Sequence, residues 1–179
     1  MASLVATRYA QALFDLGVEE EKLAIFKCNL VDINQVLMEN KELANVLKHP
    51  KVDKDERKHI VDKVFKGIDP LVMNFLKLLV NRNRFQSIHD IKYNFVYLYN
   101  EYKGIEVAYI YSAVALSDED LNAIVKMLET KRKKKIIYET RMDSTLIAGI
   151  RIKVADEVLE YTLANQLTRM KENVIKNIL

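Results

Sequence analysis

The groups in this chain best suited to chemistry are three histidines, one cysteine and a large set of carboxylates, and their spacing argues against a catalytic centre. His49, His59 and His89 are scattered, and no pair stands at metal-ligand spacing such as His-x-x-x-His. Cys28 has no local context that would activate a thiol. A nucleophile elbow (Gly-x-Ser-x-Gly), a Walker loop and a Gly-x-Gly-x-x-Gly turn are all missing from the sequence. The acids fall at helix starts and on polar faces, where they cap and solvate. No catalytic, cofactor-binding or metal-ligating residue is therefore assigned, and no cofactor is expected.

What remains is binding chemistry. The run Lys131-Arg132-Lys133-Lys134-Lys135 could contact phosphate or an anionic lipid. It also stands at the end of a helical stretch that opens with Asp118, Glu119 and Asp120, and opposite charge at the two ends is what a helix dipole favours by itself. Between Leu71 and Val80 the only polar residues are Asn74 and Lys77; with Asn81 they make a thin polar stripe. A surface helix carries far more polar surface, so this segment either lies centrally or turns an apolar flank to a partner. Near the start, Leu4, Val5, Ala12 and Leu16 lie partly off the core face, and Ala2, Ala6, Ala10 and Ala12 permit close approach of another helix. Two such segments suggest a helix-in-groove site.

The elements that must position these residues follow from hydrophobic period. Up to Gly104 apolar residues recur every three to four positions; beyond it two-residue alternation appears. The first part predicts six helices. Ala6, Tyr9, Ala10, Leu13 and Phe14 form the inner face of the first, with Gly17 placed as its C-terminal cap. Leu23, Phe26, Leu30, Ile33 and Leu37 mark the second, with Glu19, Glu20 and Glu21 as its acidic start. A short third helix holds Leu43, Val46 and Leu47 and stops before Pro50. Asp53 with Glu56 opens the fourth, which Gly67 closes, and Asp69-Pro70 opens the fifth. The sixth carries Phe85, Ile88, Ile91, Phe95, Leu98 and Tyr102 and ends at Gly104. The second part predicts a strand from Ile105 to Leu116 and a helix capped by Ser117. Strands follow around Ile136–Met142 and Ile150–Val154, with a short edge at Val158–Tyr161. A last helix then carries Leu163, Leu167, Met170 and Val174 on one seam. The fold class is thus α+β: an N-terminal six-helix bundle, residues 1–104, then a small β-α-β-β-(β)-α domain, residues 105–179.

Composition agrees. Of 179 residues half are apolar and 30% are charged, which suits a globular chain. Net charge is only +3, too near neutral for a dedicated nucleic-acid binder. A single cysteine fits a reducing compartment. The start lacks the pattern of a signal or transit peptide, and no run approaches the roughly 18 apolar residues of a membrane span.

In their order along the chain, several segments resemble those of the delta subunit of the F-type ATP synthase, the family of the mitochondrial oligomycin-sensitivity-conferring protein. Arg8-Tyr9-Ala10-Gln11-Ala12-Leu13-Phe14 is similar to its Tyr-Ala-x-Ala-Leu/Phe-Phe signature. Asn74-Phe75-Leu76-Lys77-Leu78-Leu79, then Asn81-x-Asn83-Arg84-Phe85, resembles its Asn-Phe-Leu-x-Leu-Leu…Asn-x-Arg stretch. Ala113–Ser117 resembles the strand-to-helix entry of its second domain, and Asp143–Ile152 its Asp-x-x-Leu-Ile-Gly-Gly segment, with Ala148 in place of the first glycine. Tyr161 stands where the family turn has glycine.

The resemblance implies a non-catalytic stator subunit that links the α3β3 head to the b-subunit stalk while the rotor turns. It implies that Tyr9 and Ala12 on the first helix, with Asn74, Leu78 and Asn81 on the fifth, contact the N-terminal segments of α subunits. The b subunits would meet the last helix, around Leu167, Met170 and Val174. The expected location is the cytoplasmic face of a bacterial membrane, as a peripheral protein with no membrane insertion of its own and no nucleic-acid partner. The competing reading is an RNA- or ribosome-associated protein using Lys131–Lys135, although the second domain lacks a Gly-x-x-Gly loop and aromatic-rich RNA-binding strands.

Overall fold

The computed structural model describes residues 4–146 and 148–162. The chain divides into two compact units, Met1–Asn100 and Glu101–Leu179.

The first unit is helical: α1 (Leu4–Glu19), α2 (Leu23–Glu39), α3 (Lys41–Lys48), α4 (Lys54–Val64), α5 (Pro70–Asn81), a 3-10 turn (Phe85–Ser87) and α6 (Ile88–Lys103), whose last turn carries the division between units. One apolar cluster gathers Ala6, Ala10 and Leu13 of α1 with Phe26, Leu30 and Ile33 of α2, Leu76 and Leu79 of α5 and Ile91 and Phe95 of α6. Two caps form as the sequence predicts. The Asp53 carboxylate accepts from the N–H groups of Asp55 and Glu56, and that of Asp69 accepts from Leu71 N–H ahead of Pro70.

Three expectations fail for stated reasons. Gly17 does not end α1; it lies inside the helix, buried, where a Cβ would come within 2.9 Å of Leu23 Cδ2 and 3.1 Å of Phe26 Cδ2. Its role is close approach of α2. The reversal is made instead by Glu21 at φ 55°. Glu19, Glu20 and Glu21 therefore end α1 and fill the turn, leaving the first turn of α2 without acids. Phe85 belongs to the 3-10 turn rather than to α6, because the left-handed Asn83 (φ 52°) re-aims the chain just before it.

The second unit has β1 (Ile105–Ser112), α7 (Asp118–Arg132), β2 (Lys135–Met142), β3 (Gly149–Val154) and β4 (Glu157–Thr162). The strands form one mixed sheet in the order β2-β1-β3-β4. β1 and β2 are parallel, joined by the α7 crossover; β1–β3 and β3–β4 are antiparallel. β1 stops at Ser112, short of the expected Leu116. Its Ala108 and Ile110 are buried with Leu121 and Leu128 of α7, Ile136, Ile152 and Val154. Ile105, Val107, Tyr109 and Tyr111 share the opposite face of the strand and are half-buried. Gly104 adopts φ 63°, the left-handed turn that separates α6 from β1. The last-helix residues Leu163, Leu167, Met170 and Val174 lie outside the described residues.

Candidate functional site

Helical spacing sets one face of α1. Val5, Arg8, Tyr9 and Ala12 step by three and four and line a cleft of about 390 Å³, with Arg84 contributing from the turn after α5. Tyr9 is half-buried; its ring meets the edge of Phe75 on α5, centroids 6.2 Å apart and planes at 69°. Ala12 is exposed, and its small side chain leaves the helix backbone approachable.

The α5 helix is amphipathic rather than enclosed. Val72, Phe75, Leu76, Leu79 and Val80 are buried, while Asn74, Leu78 and Asn81 lie on an exposed stripe at i, i+4 and i+7, with Leu78 42% exposed. Neither Asn74 nor Asn81 has a side-chain hydrogen-bond partner among the described residues. The structure thus joins Tyr9 and Ala12 in one cleft. Asn74, Leu78 and Asn81 are absent from that lining and stand on the stripe flanking the Phe75 that Tyr9 packs on.

Both ends of α5 are fixed from outside the helix. At its start, Lys22 Nζ lies 3.1 Å from Asp69, and Asn29 Oδ1 accepts from the Asp69 N–H at 3.0 Å. Burial by itself would raise the Asp69 carboxyl; the hydrogen bond from Leu71 N–H and the Lys22 ammonium outweigh it and hold the pKa below the ordinary 3.8. Midway, Lys77 pairs with Asp62 of α4 at 2.7 Å. At its end, the buried Arg57 of α4 donates to Asn83 Oδ1 at 2.9 Å and to Leu47 O at 3.4 Å. The Arg84 N–H donates to Leu79 O at 2.8 Å. Arg8, Arg84 and Arg57 were not singled out from sequence. Val5 and Ala12 were legible in the spacing as lying off the core face of the first helix, whereas Arg57 is joined to Asn83 only by folding.

The other candidates settle differently. His59 and His89 are exposed, His89 Nδ1 lying 3.3 Å from Asn34 Oδ1; His49 ends α3; Cys28 is exposed. No cluster of three metal-ligating side chains occurs among the described residues. The basic run is engaged within its own unit. Lys131 pairs with Glu157 at 3.0 Å, Arg132 with Glu106 at 3.1 Å and Glu157 at 2.8 Å, and Lys134 with Glu106 at 2.9 Å. Lys133 takes the left-handed position that ends α7. Most of the run therefore latches α7 to β1 and to the start of β4, which removes the observation that favoured an RNA partner.

A surface of exposed leucine, free amides and guanidinium groups can bind but has no means to move a proton or an acyl group. Known proteins with similar sequences match nearly the whole length of this chain. The chain is 34% identical over 174 residues to the ATP synthase subunit delta of Oceanobacillus iheyensis, covering 97% of this chain and 96% of that one. It is 35% identical over 175 residues to that of Acetivibrio thermocellus, covering 97% and 98%. Among solved structures, a chain of the Toxoplasma gondii mitochondrial ATP synthase hexamer shares the fold, with a TM-score of 0.74 at 20% identity over 97% of this chain and 98% of that one. The model of the family described as ATP synthase delta (OSCP) subunit matches residues 5–174, and the chain belongs to that family.

Proposed function

We propose that this chain holds the catalytic head of an F-type ATP synthase by gripping an amphipathic N-terminal segment of an α subunit along α1 and α5. Membership of the family makes the chain a non-catalytic stator component, a delta subunit of the peripheral stalk. The finer reading assigns residues 1–104, taken as a six-helix bundle, to the α and β subunits of the head. Residues 105–179 are assigned to the b subunits, through the segment carrying Leu167, Met170 and Val174. The complex would lie on the cytoplasmic face of a bacterial membrane with this chain at its periphery; no helix among the described residues is long and apolar enough to cross one.

The observation that carries this reading is the exposed α5 stripe of Asn74, Leu78 and Asn81 beside the Tyr9–Phe75 contact and the α1 cleft. An exposed leucine between two unpaired amides offers a partner helix apolar area and orienting hydrogen bonds at once. A stator joint must resist torque without turnover, which suits buried helix faces better than charged rims. The test is reconstitution. Membranes stripped of the delta subunit should regain ATP-driven proton pumping on addition of the full wild-type chain and regain far less with Leu78→Asp. Equal recovery by the two proteins would overturn the α1–α5 grip.

A further inference from the structure

We infer that the occupant of the cleft between α1 and the turn after α5 carries a carboxylate, and that Arg8 and Arg84, which both line the cleft, recognise it. This rests on the docking reading above and specifies its partner: an amphipathic helix with an acidic residue flanking its apolar stripe. Arg8 and Arg84 both line the cleft, beside Val5, Tyr9 and Ala12. Neither has a carboxylate partner among the described residues, whereas Lys131, Arg132, Lys134 and Arg151 of the second unit all do. Guanidinium groups are weakly hydrated and present a planar fork that matches a carboxylate. An occupant that covered this cleft without an acid would strip water from two cations and return nothing.

Arg84 is also the member of the pair whose position is fixed by an unusual device. Among the described residues Arg57, 1% exposed, has no carboxylate partner; one of its two side-chain hydrogen bonds goes to the Asn83 side chain, the residue next to Arg84. Its Nε has no hydrogen-bond partner among the described residues. Burying a cation on such terms is costly, and what it secures is the left-handed turn that brings Arg84 to the cleft. Arg57 and Asn83 are thus positioning residues for Arg84.

The test is titration calorimetry of the full chain with a synthetic peptide of the α-subunit N-terminal segment encoded in the same genome. It is run beside the same peptide with every Asp and Glu replaced by its amide. Arg8→Gln and Arg84→Gln should each raise Kd about five- to twenty-fold for the acidic peptide and leave the amide peptide within about two-fold. Arg84→Lys should fall between, and the salt dependence of binding should shrink in both glutamine variants. Asn83→Ala should reproduce part of the Arg84→Gln effect, including the reduced salt dependence. Equal affinity of the acidic peptide for wild type and both glutamine variants, or equal affinity of wild type for the two peptides, overturns the inference. Ala12→Trp separates it from the docking reading. If that variant abolishes binding while the arginine variants do not, the cleft stands and the carboxylate falls; if Ala12→Trp changes nothing, both fall.

Discussion

Asp69 ties three pieces of chain together: its carboxylate caps α5 and pairs with Lys22 from the turn before α2, and its backbone N–H donates to Asn29 Oδ1. Replacing it with Ala should cost about 1 kcal/mol in denaturant unfolding, the usual loss for a capping side chain. Because its folded pKa lies below 3.8, this contribution is complete above that value and disappears as pH falls through the lower, folded pKa. The Asp69→Ala and wild-type unfolding curves should therefore converge in acid; an unchanged gap at low pH would contradict the assignment. Asn81 makes the matching statement about binding. Its amide has no partner among the described residues, so Asn81→Ala should leave stability unaltered and weaken the α-peptide by about three- to ten-fold, the scale of one hydrogen bond. The caps Asp53 and Asp69 were legible because a cap is written in three or four neighbouring residues. Gly17 was misread because what it makes room for, Leu23 and Phe26, lies on another helix.

Between elements, two contacts decide how the helices are set. Gly17→Leu should push α2 from α1 and destabilise the chain by about 1–3 kcal/mol, since Leu23 Cδ2 and Phe26 Cδ2 already lie closer to a Cβ there than ordinary contact allows. The second is the latch between α7, β1 and β4. Arg132 and Glu106 are mostly buried side chains, so Arg132→Ala leaves a carboxylate short of a partner and should cost about 1–3 kcal/mol. The pH limits of the latch follow from its members. The Lys131 ammonium holds Glu157 below its ordinary 4.5, so its stabilisation is complete above 4.5 and lost as pH falls through the lower folded value. Lys134 is raised above 10.5 by its hydrogen bond to Glu106, so its stabilisation is complete below 10.5 and lost at higher pH. The contribution of these two pairs to thermal stability should be constant between those limits and decline outside both. The run was legible as a helix end with its dipole partner at Asp118–Asp120. That it closes onto Glu106 and Glu157 was not, because those acids are brought near only by the sheet register.

At the scale of the whole molecule, the change of hydrophobic period at Gly104 announced two kinds of architecture, and the resemblance in the first and fifth helices announced the family. Hydrophobic period finds elements reliably; it left open whether the α5 flank was enclosed or presented, because its apolar residues look alike in sequence whichever side is covered. The central claim is that the presented α1–α5 surface seats an α subunit in the assembled enzyme. The most direct measurement is photo-crosslinking inside the intact ATP synthase, with a photoreactive residue placed at position 12 or position 78 of the full chain. The account predicts an adduct with α from both positions. Assembled, active complexes that yield no α adduct from either position would contradict it.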